Sequence, residues 1–149
     1  MIQRKQTLFM ALAAILAIVT LFIPVFAVDA APEVVNIVGK DIFFMVGEFK
    51  LYISLILNVL IAVLALGAIF LFKNRPLQLR LNYAGILFLL VLQGFYVGRY
   101  LAVMNRTDDA LLSLSVGFFL PTVAIIALAL ANRFIKADEK LVRSMDRLR

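Results

Sequence analysis

Four long apolar runs, separated by short charged segments, constrain the fold more than any other feature of the chain. They cover residues 8–28, 51–72, 81–103 and 111–131, and the only charged residue within them is Arg99. About 20 apolar residues carry an α-helix across a bilayer core of roughly 30 Å. Such a segment must be helical because lipid offers backbone groups no hydrogen-bond partner. The runs therefore predict an all-α integral membrane protein, a bundle of four transmembrane helices.

The distribution of charge predicts the orientation of these spans. The N-terminus, the 73–80 segment and the tail 132–149 fall on one side, with 11 of the 15 Lys and Arg residues. Six of the nine acidic residues fall on the other side, in the outer loop 29–50 and in residues 104–110. Short segments rich in Lys and Arg stay in the cytoplasm. We therefore expect both termini to be cytoplasmic, in a single membrane domain that covers residues 1–149.

The first run leaves an alternative open, because it follows a basic N-terminus and residues 25–27 or 28–30 resemble signal-peptide cleavage sites. The apolar part of a signal peptide is normally about 7–15 residues long, which is shorter than this run. An uncleaved first span is the preferred interpretation, and cleavage would leave three spans.

The composition excludes most chemistry. The chain has no Cys and no His, so it can form no disulfide, no thiolate zinc or iron–sulfur site and no Ser–His pair. It has no glycine-rich phosphate loop, and all nine acidic residues lie outside the apolar runs. The basic residues lie at span ends, which indicates topology and attraction to anionic lipids rather than nucleic-acid binding. We therefore expect no catalytic residue, cofactor or metal, and a protein that is not an enzyme.

The outer loop 29–50 is unusually apolar. Residues 34–38 and 42–46 are β-branched or aromatic runs on either side of the turn residues 39–41, which predicts a short β-hairpin. A re-entrant or interfacial stretch is the alternative. The loop would pack on the rim of the bundle or form a docking surface for another membrane protein.

The tail 132–149 combines an apolar stripe with many basic residues, which predicts an amphipathic helix lying on the inner leaflet. A helix that packs on a partner protein is the alternative. The candidate lipid or partner contacts are its cations, Arg133, Lys136, Lys140, Arg143, Arg147 and Arg149.

Polar and small residues within the second and third runs are candidates for helix packing. Asn58 and Gln93 lie at depths that differ by about 4–5 Å at 1.5 Å per residue, so a hydrogen bond between neighbouring helices is possible. Gly94 and Gly98 form a small-xxx-small pair of the kind that lets helix backbones approach in lipid. A contact with a transported substrate is the alternative role for the two amides.

Arg99 lies near the outer end of the third run, on the same helix as Tyr96 and Tyr100. A long cationic side chain at this height can reach the headgroups, and tyrosines gather at the same level. The three residues therefore predict an interfacial anchor, with an anion contact in a polar cavity as the alternative for Arg99.

Three stretches resemble a family of small four-span bacterial inner-membrane proteins, mainly from Bacteroidetes, that is classed only as a domain of unknown function. They read MIQRKQT at 1–7, FLFKNRPLQLRL at 70–81 and ANRFIKADEKLVRSMDRLR at 131–149. The resemblance covers the whole chain, and the last stretch is the most specific. It implies a location in the bacterial inner (cytoplasmic) membrane, but no activity, cofactor or catalytic residue.

The sequence thus favours a non-enzymatic accessory or structural subunit of a larger membrane complex, in contact with membrane lipids and other membrane subunits. The alternative is a small transporter or channel subunit that acts as a homo-oligomer, with Asn58, Gln93 and Arg99 along its path. Four spans rarely enclose a pore alone, so this alternative requires several copies of the chain.

Overall fold

The computed structural model describes residues 2–23, 25–28, 47–71, 74–104 and 112–146. This part of the chain is predominantly helical. Its helices are α1 (Ile2–Val19), α2 (Gly47–Phe70), α3 (Arg75–Met104) and α4 (Val116–Asp146). Two strands of three residues each, β1 (Phe26–Val28) and β2 (Leu112–Leu114), pair antiparallel.

The four helices pack in a ring in the order α1, α2, α3, α4, with α4 returning to contact α1. Helices α3 and α4 run antiparallel, since Arg75 pairs with Asp138 whereas Asn82, further along α3, bonds to Asn132, which lies earlier in α4. The start of α1, the end of α2, the start of α3 and the end of α4 meet at one end of the bundle, called here the inner end. The β1–β2 pair lies at the opposite, outer end.

Small side chains make up much of the core. Nine buried alanines come from three of the helices: Ala13, Ala14, Ala17, Ala62, Ala65, Ala68, Ala124, Ala127 and Ala131. Small residues let helices approach closely where lipid provides no hydrophobic driving force between them. On α3 the same role falls to Gly85, where an added Cβ would lie 3.2 Å from Leu128 Cδ1 on α4.

Two helical segments in the described residues, Arg75–Leu101 and Val116–Val142, are long and apolar enough to cross a membrane. The corresponding apolar parts of the other two helices, Lys5–Val19 and Ser54–Phe70, are shorter. Large apolar side chains cover the outward faces, among them Leu8, Ile56 and Leu87. An apolar surface of this extent is typical of contact with lipid or with another protein.

The outer ends of the first and fourth apolar runs are not helical, so the two helices are shorter than the predicted spans of about 8–28 and 111–131. Helix α1 ends at Val19, and the chain turns through bonds from Leu21 N–H to Ile18 C=O and from Phe22 N–H to Val19 C=O. Proline disfavours helix for the residue before it, and Pro24 lies just beyond this turn in the sequence. Backbone groups beyond the end of α1 bond instead to β2, through the pairing of β1 with β2. Because β2 uses residues 112–114 of the fourth run, α4 begins only at Val116.

The fourth helix continues into the tail, as the sequence pattern predicts, but it corrects the prediction that the whole tail lies on the inner leaflet. Helix α4 runs without a break from Val116 to Asp146. Asn132 and Ile135 are buried, and the ring of Phe134 stacks on Phe9 of α1 at a centroid distance of 5.5 Å. The first half of the tail is therefore part of the bundle. The predicted hairpin of the outer loop, residues 34–46, lies outside the described residues.

Candidate functional site

Buried polar side chains from three helices meet at the inner end of the bundle. We define the inner polar cluster as Gln6, Gln78, Asn82 and Asn132 together with the ion pair between Arg75 and Asp138. The four amides are buried, and the ionic side chains are 24% and 15% exposed. Burying a polar group costs free energy unless the group is hydrogen-bonded. The hydrogen bonds within this cluster therefore decide whether it stabilises the bundle.

The side chain of Gln78 connects α3 to α1 and α2. Its Nε2 donates to the backbone carbonyl of Ala68 at 2.9 Å and lies 3.7 Å from Met10 Sδ on α1. The last four carbonyls of a helix have no partner within that helix, and Ala68 lies in the last turn of α2. Gln78 therefore caps the C-terminal end of α2 from the adjacent helix.

The start of α3 is fixed by its own cap. Asn74 Oδ1 accepts a 3.4 Å hydrogen bond from the backbone N–H of Leu77, in the position where asparagine satisfies a free N–H at a helix start. One residue further on, Arg75 Nη2 lies 2.7 Å from Asp138 Oδ2 on α4. The cap thus positions Arg75 for an ion pair that closes the inner end of the α3–α4 interface.

One turn deeper in the bundle than Gln78, Asn82 Nδ2 donates to Asn132 Oδ1 at 2.9 Å. Each amide has both a donor and an acceptor, and this bond uses only one of each. Asn82 Oδ1, Asn132 Nδ2 and Gln6 Nε2 have no hydrogen-bond partner among the described residues. The cluster therefore holds the helices together while one acceptor and two donors in it stay without a partner in the described part of the chain.

In the outer half, the structure gives Asn58 a different partner from the one expected. Asn58 is 2% exposed, and its Nδ2 donates to the Ser54 carbonyl at 3.0 Å and to the Tyr96 hydroxyl at 3.4 Å. The possible bond between Asn58 and Gln93 is not formed; Asn58 instead bonds to Tyr96, which lies nearly one helical turn further out on α3. Gln93 Oε1 is buried and has no partner in the described part of the chain.

Arg99 and the two tyrosines do not form a common anchor. Tyr96 is buried, so it belongs to the core, whereas Tyr100 stacks on Phe26 of β1 at 6.1 Å between ring centroids. Arg99 is half-buried, with its guanidinium carbon 5.8 Å from the centroid of the Phe95 ring. Its Nε has no hydrogen-bond partner within the described residues. Of the three residues, only Arg99 still fits the predicted anchor, as a cation at the end of an apolar side chain.

Gly94 and Gly98 lie on the outward face of α3. Both are exposed, and an added Cβ at either position would meet nothing within 4 Å. They therefore mediate no helix packing within the described bundle, contrary to the expectation for them as an internal small-xxx-small pair. That role belongs to Gly85, which the spacing argument did not single out.

The basic candidates of the tail are exposed where the structure describes their side chains. Arg133, Lys136 and Lys140 lie on the surface of α4, and Lys136 Nζ is 5.3 Å from the centroid of the Tyr83 ring. Only the helical backbone of Arg143 is described. Arg147 and Arg149 lie outside the described residues.

Sequence reasoning missed the members of the inner polar cluster. One signal could have found them, because Gln6, Arg75, Gln78, Asn132 and Asp138 all lie in the three stretches that carry the family resemblance. These stretches are far apart in the chain and meet at the inner end.

Comparison with known proteins places the chain in a family without giving it an activity. In the described part of the chain, no group of three or more His, Cys, Asp or Glu residues could hold a metal ion. No curated protein and no solved structure matches the chain. A family model matches residues 2–148. The chain therefore belongs to the family described as Domain of unknown function (DUF4293), which confirms the resemblance found in its sequence.

Proposed function

We propose that the protein is a non-enzymatic accessory subunit of a larger assembly in the bacterial inner membrane. All four helices cross the bilayer, and both termini lie in the cytoplasm with the inner end of the bundle. The 11 to 4 division of basic residues supports this orientation.

The observation that carries the proposal is the outward face of α3 around Gly94 and Gly98. The bundle makes no use of these two glycines, and their apolar neighbours Val91, Val97 and Leu101 are also exposed. Glycine costs about 0.8–1.0 kcal/mol relative to alanine within a helix. Two glycines one turn apart on an exposed face fit the close approach of a helix from another subunit, since small residues govern such contacts in lipid.

The inner polar cluster supports a structural role rather than a chemical one. Its hydrogen bonds and its ion pair connect α3 to each of the other three helices. A bundle fixed in this way provides a rigid surface for assembly.

We expect the change of Gly94 and Gly98 to leucine to abolish recovery of co-purifying subunits after extraction in mild detergent. The thermal stability of the chain itself should stay the same or rise, because the new side chains meet open space and leucine favours helix over glycine. Gly67→Leu on α2 is the matched control, since a Cβ there also meets nothing within 4 Å. The measurements are subunit stoichiometry by mass spectrometry and a melting curve for each variant.

Two results would contradict the proposal. If the wild-type chain carries no foreign subunit at stoichiometric amounts, it is not an accessory subunit. If the α3 double variant and the Gly67 control lose partners equally, the glycine face is not the contact.

The alternative, a homo-oligomeric transporter or channel subunit, is favoured by one observation. Asn58 Oδ1, Gln93 Oε1 and Arg99 Nε are buried polar atoms in the outer half of the bundle that have no hydrogen-bond partner in the described residues. Such groups are expensive in a membrane and often mark a polar path. Two results would together establish this alternative instead. The purified sample would contain only copies of this chain, and a solute flux measured for the wild type would be lost in Asn58→Leu.

A further inference from the structure

The outward seam between α3 and α4 carries a compact group of cations at the inner end. Its centre is the contact in which Lys136 Nζ lies 5.3 Å from the ring centroid of Tyr83. Tyr83 is 48% exposed, so both partners face the surroundings rather than the core.

Three more exposed cations lie within about one helical turn of this contact along the two helices. Arg133 and Lys140 lie three residues before and four residues after Lys136, which places all three on one face of α4. Arg80 is exposed one turn before Tyr83 on α3. The carboxylates in this part of α4 are Asp138 and Glu139, and Asp138 is bound by Arg75. The inner end of the seam therefore has an excess of positive charge.

Toward the middle of the bundle the same seam becomes apolar. Tyr83, Leu87 and Leu90 follow one another at helical spacing on α3, and all three are largely exposed. On α4, Ile126 and Ala129 are exposed at helical spacing before the cations of that helix. A cationic end that continues into a long apolar surface matches a ligand with an anionic head and a hydrocarbon chain.

We propose that the α3–α4 seam is a specific binding site for an anionic phospholipid of the inner leaflet. Arg80, Arg133 and Lys136 bind the phosphate, Tyr83 packs beside the headgroup, and an acyl chain lies along Leu87 and Leu90. Basic sites between membrane helices at the cytoplasmic side bind anionic headgroups in this way. The assignment rests on the proposed membrane orientation.

The test uses the full chain, purified in mild detergent, and native mass spectrometry with added phosphatidylglycerol or phosphatidylcholine. Phosphatidylglycerol should remain bound and phosphatidylcholine should not. A basic residue near an anionic surface contributes about 1 kcal/mol, which is about fivefold in affinity. We therefore expect Lys136→Gln and Arg80→Gln each to weaken phosphatidylglycerol binding about fivefold.

Lys5→Gln provides the matched control. Lys5 is an exposed cation at the inner end of α1, which lies opposite α3 in the ring and away from the seam. Its loss should leave binding unchanged while removing the same charge. A melting curve verifies that each variant keeps its fold, since all three substituted side chains are exposed.

Equal weakening in the Lys5 control and the seam variants would show a general charge effect and overturn the specific site. Equal binding of the two lipids would overturn it as well. Insertion into vesicles of phosphatidylcholine alone tests the membrane location separately. Insertion without a preference for phosphatidylglycerol rejects the lipid site and leaves the proposed function standing, whereas failure to insert rejects both.

Discussion

Ile135→Ala should lower the free energy of unfolding by about 2–4 kcal/mol, the usual cost of truncating a fully buried aliphatic side chain. Ile135 is 0% exposed although it lies in the tail that follows the fourth apolar run. Its loss leaves a cavity where α4 packs on the bundle. Denaturant titration of the chain in detergent micelles, followed by circular dichroism, measures the change.

Leu141→Ala is the control for this effect. Leu141 lies on the same helix but is 51% exposed, and surface substitutions usually change stability by no more than about 0.5 kcal/mol. If both variants changed the stability equally little, residues beyond 131 would lie on the membrane surface instead of extending the bundle.

The second large effect concerns the bond between Asn82 and Asn132. Changing either residue alone to leucine should cost about 1–3 kcal/mol, because the remaining buried amide loses its partner. The double variant should cost less than the sum of the two single changes, with a coupling energy of about 0.5–3 kcal/mol. Unfolding titrations of the four proteins of the cycle give this number.

Asn58 provides the comparison for that cycle. It is also buried, but its bonds are to Ser54 and Tyr96 in the outer half, so Asn58→Leu should be additive with Asn82→Leu. Additivity of Asn82→Leu with Asn132→Leu as well would mean that the two amides do not interact, and the inner polar cluster would lose its central contact.

The apolar runs predicted the bodies of the helices well because apolar length is a local property of the sequence. The second and third runs, 51–72 and 81–103, lie almost entirely within α2 and α3. The failures at the outer ends have a nonlocal cause. Residues 26–28 leave the helical conformation to pair with residues 112–114, a partner more than 80 positions away that no periodicity identifies.

Side-chain partners were harder to predict than helices. Depth along the membrane placed Asn58 near Gln93, but depth does not fix how each helix is rotated. Tyr96 lies three residues after Gln93 on α3, about 4.5 Å further along the helix and rotated by about 300°. At this rotation Tyr96, and not Gln93, accepts the hydrogen bond from Asn58. Rotation also explains why Gly85, rather than Gly94 or Gly98, faces a neighbouring helix.

The inner polar cluster depends on contacts between distant segments. Arg75 and Asp138 are unremarkable as surface charges in the sequence, and only the packing of α3 against α4 brings their atoms to 2.7 Å. The three stretches that carry the resemblance were nevertheless the correct place to look, since the cluster is built mainly from them.

The central claim is that four helices cross the membrane with the inner polar cluster at the cytoplasmic end. The chain has no Cys, so single cysteines can be introduced without a background and labelled with a membrane-impermeant maleimide. In intact spheroplasts, Lys40→Cys and Thr107→Cys should react at once. Lys5→Cys and Lys140→Cys should react only after the membrane is permeabilised. Labelling of Lys140→Cys from outside intact cells would contradict the account.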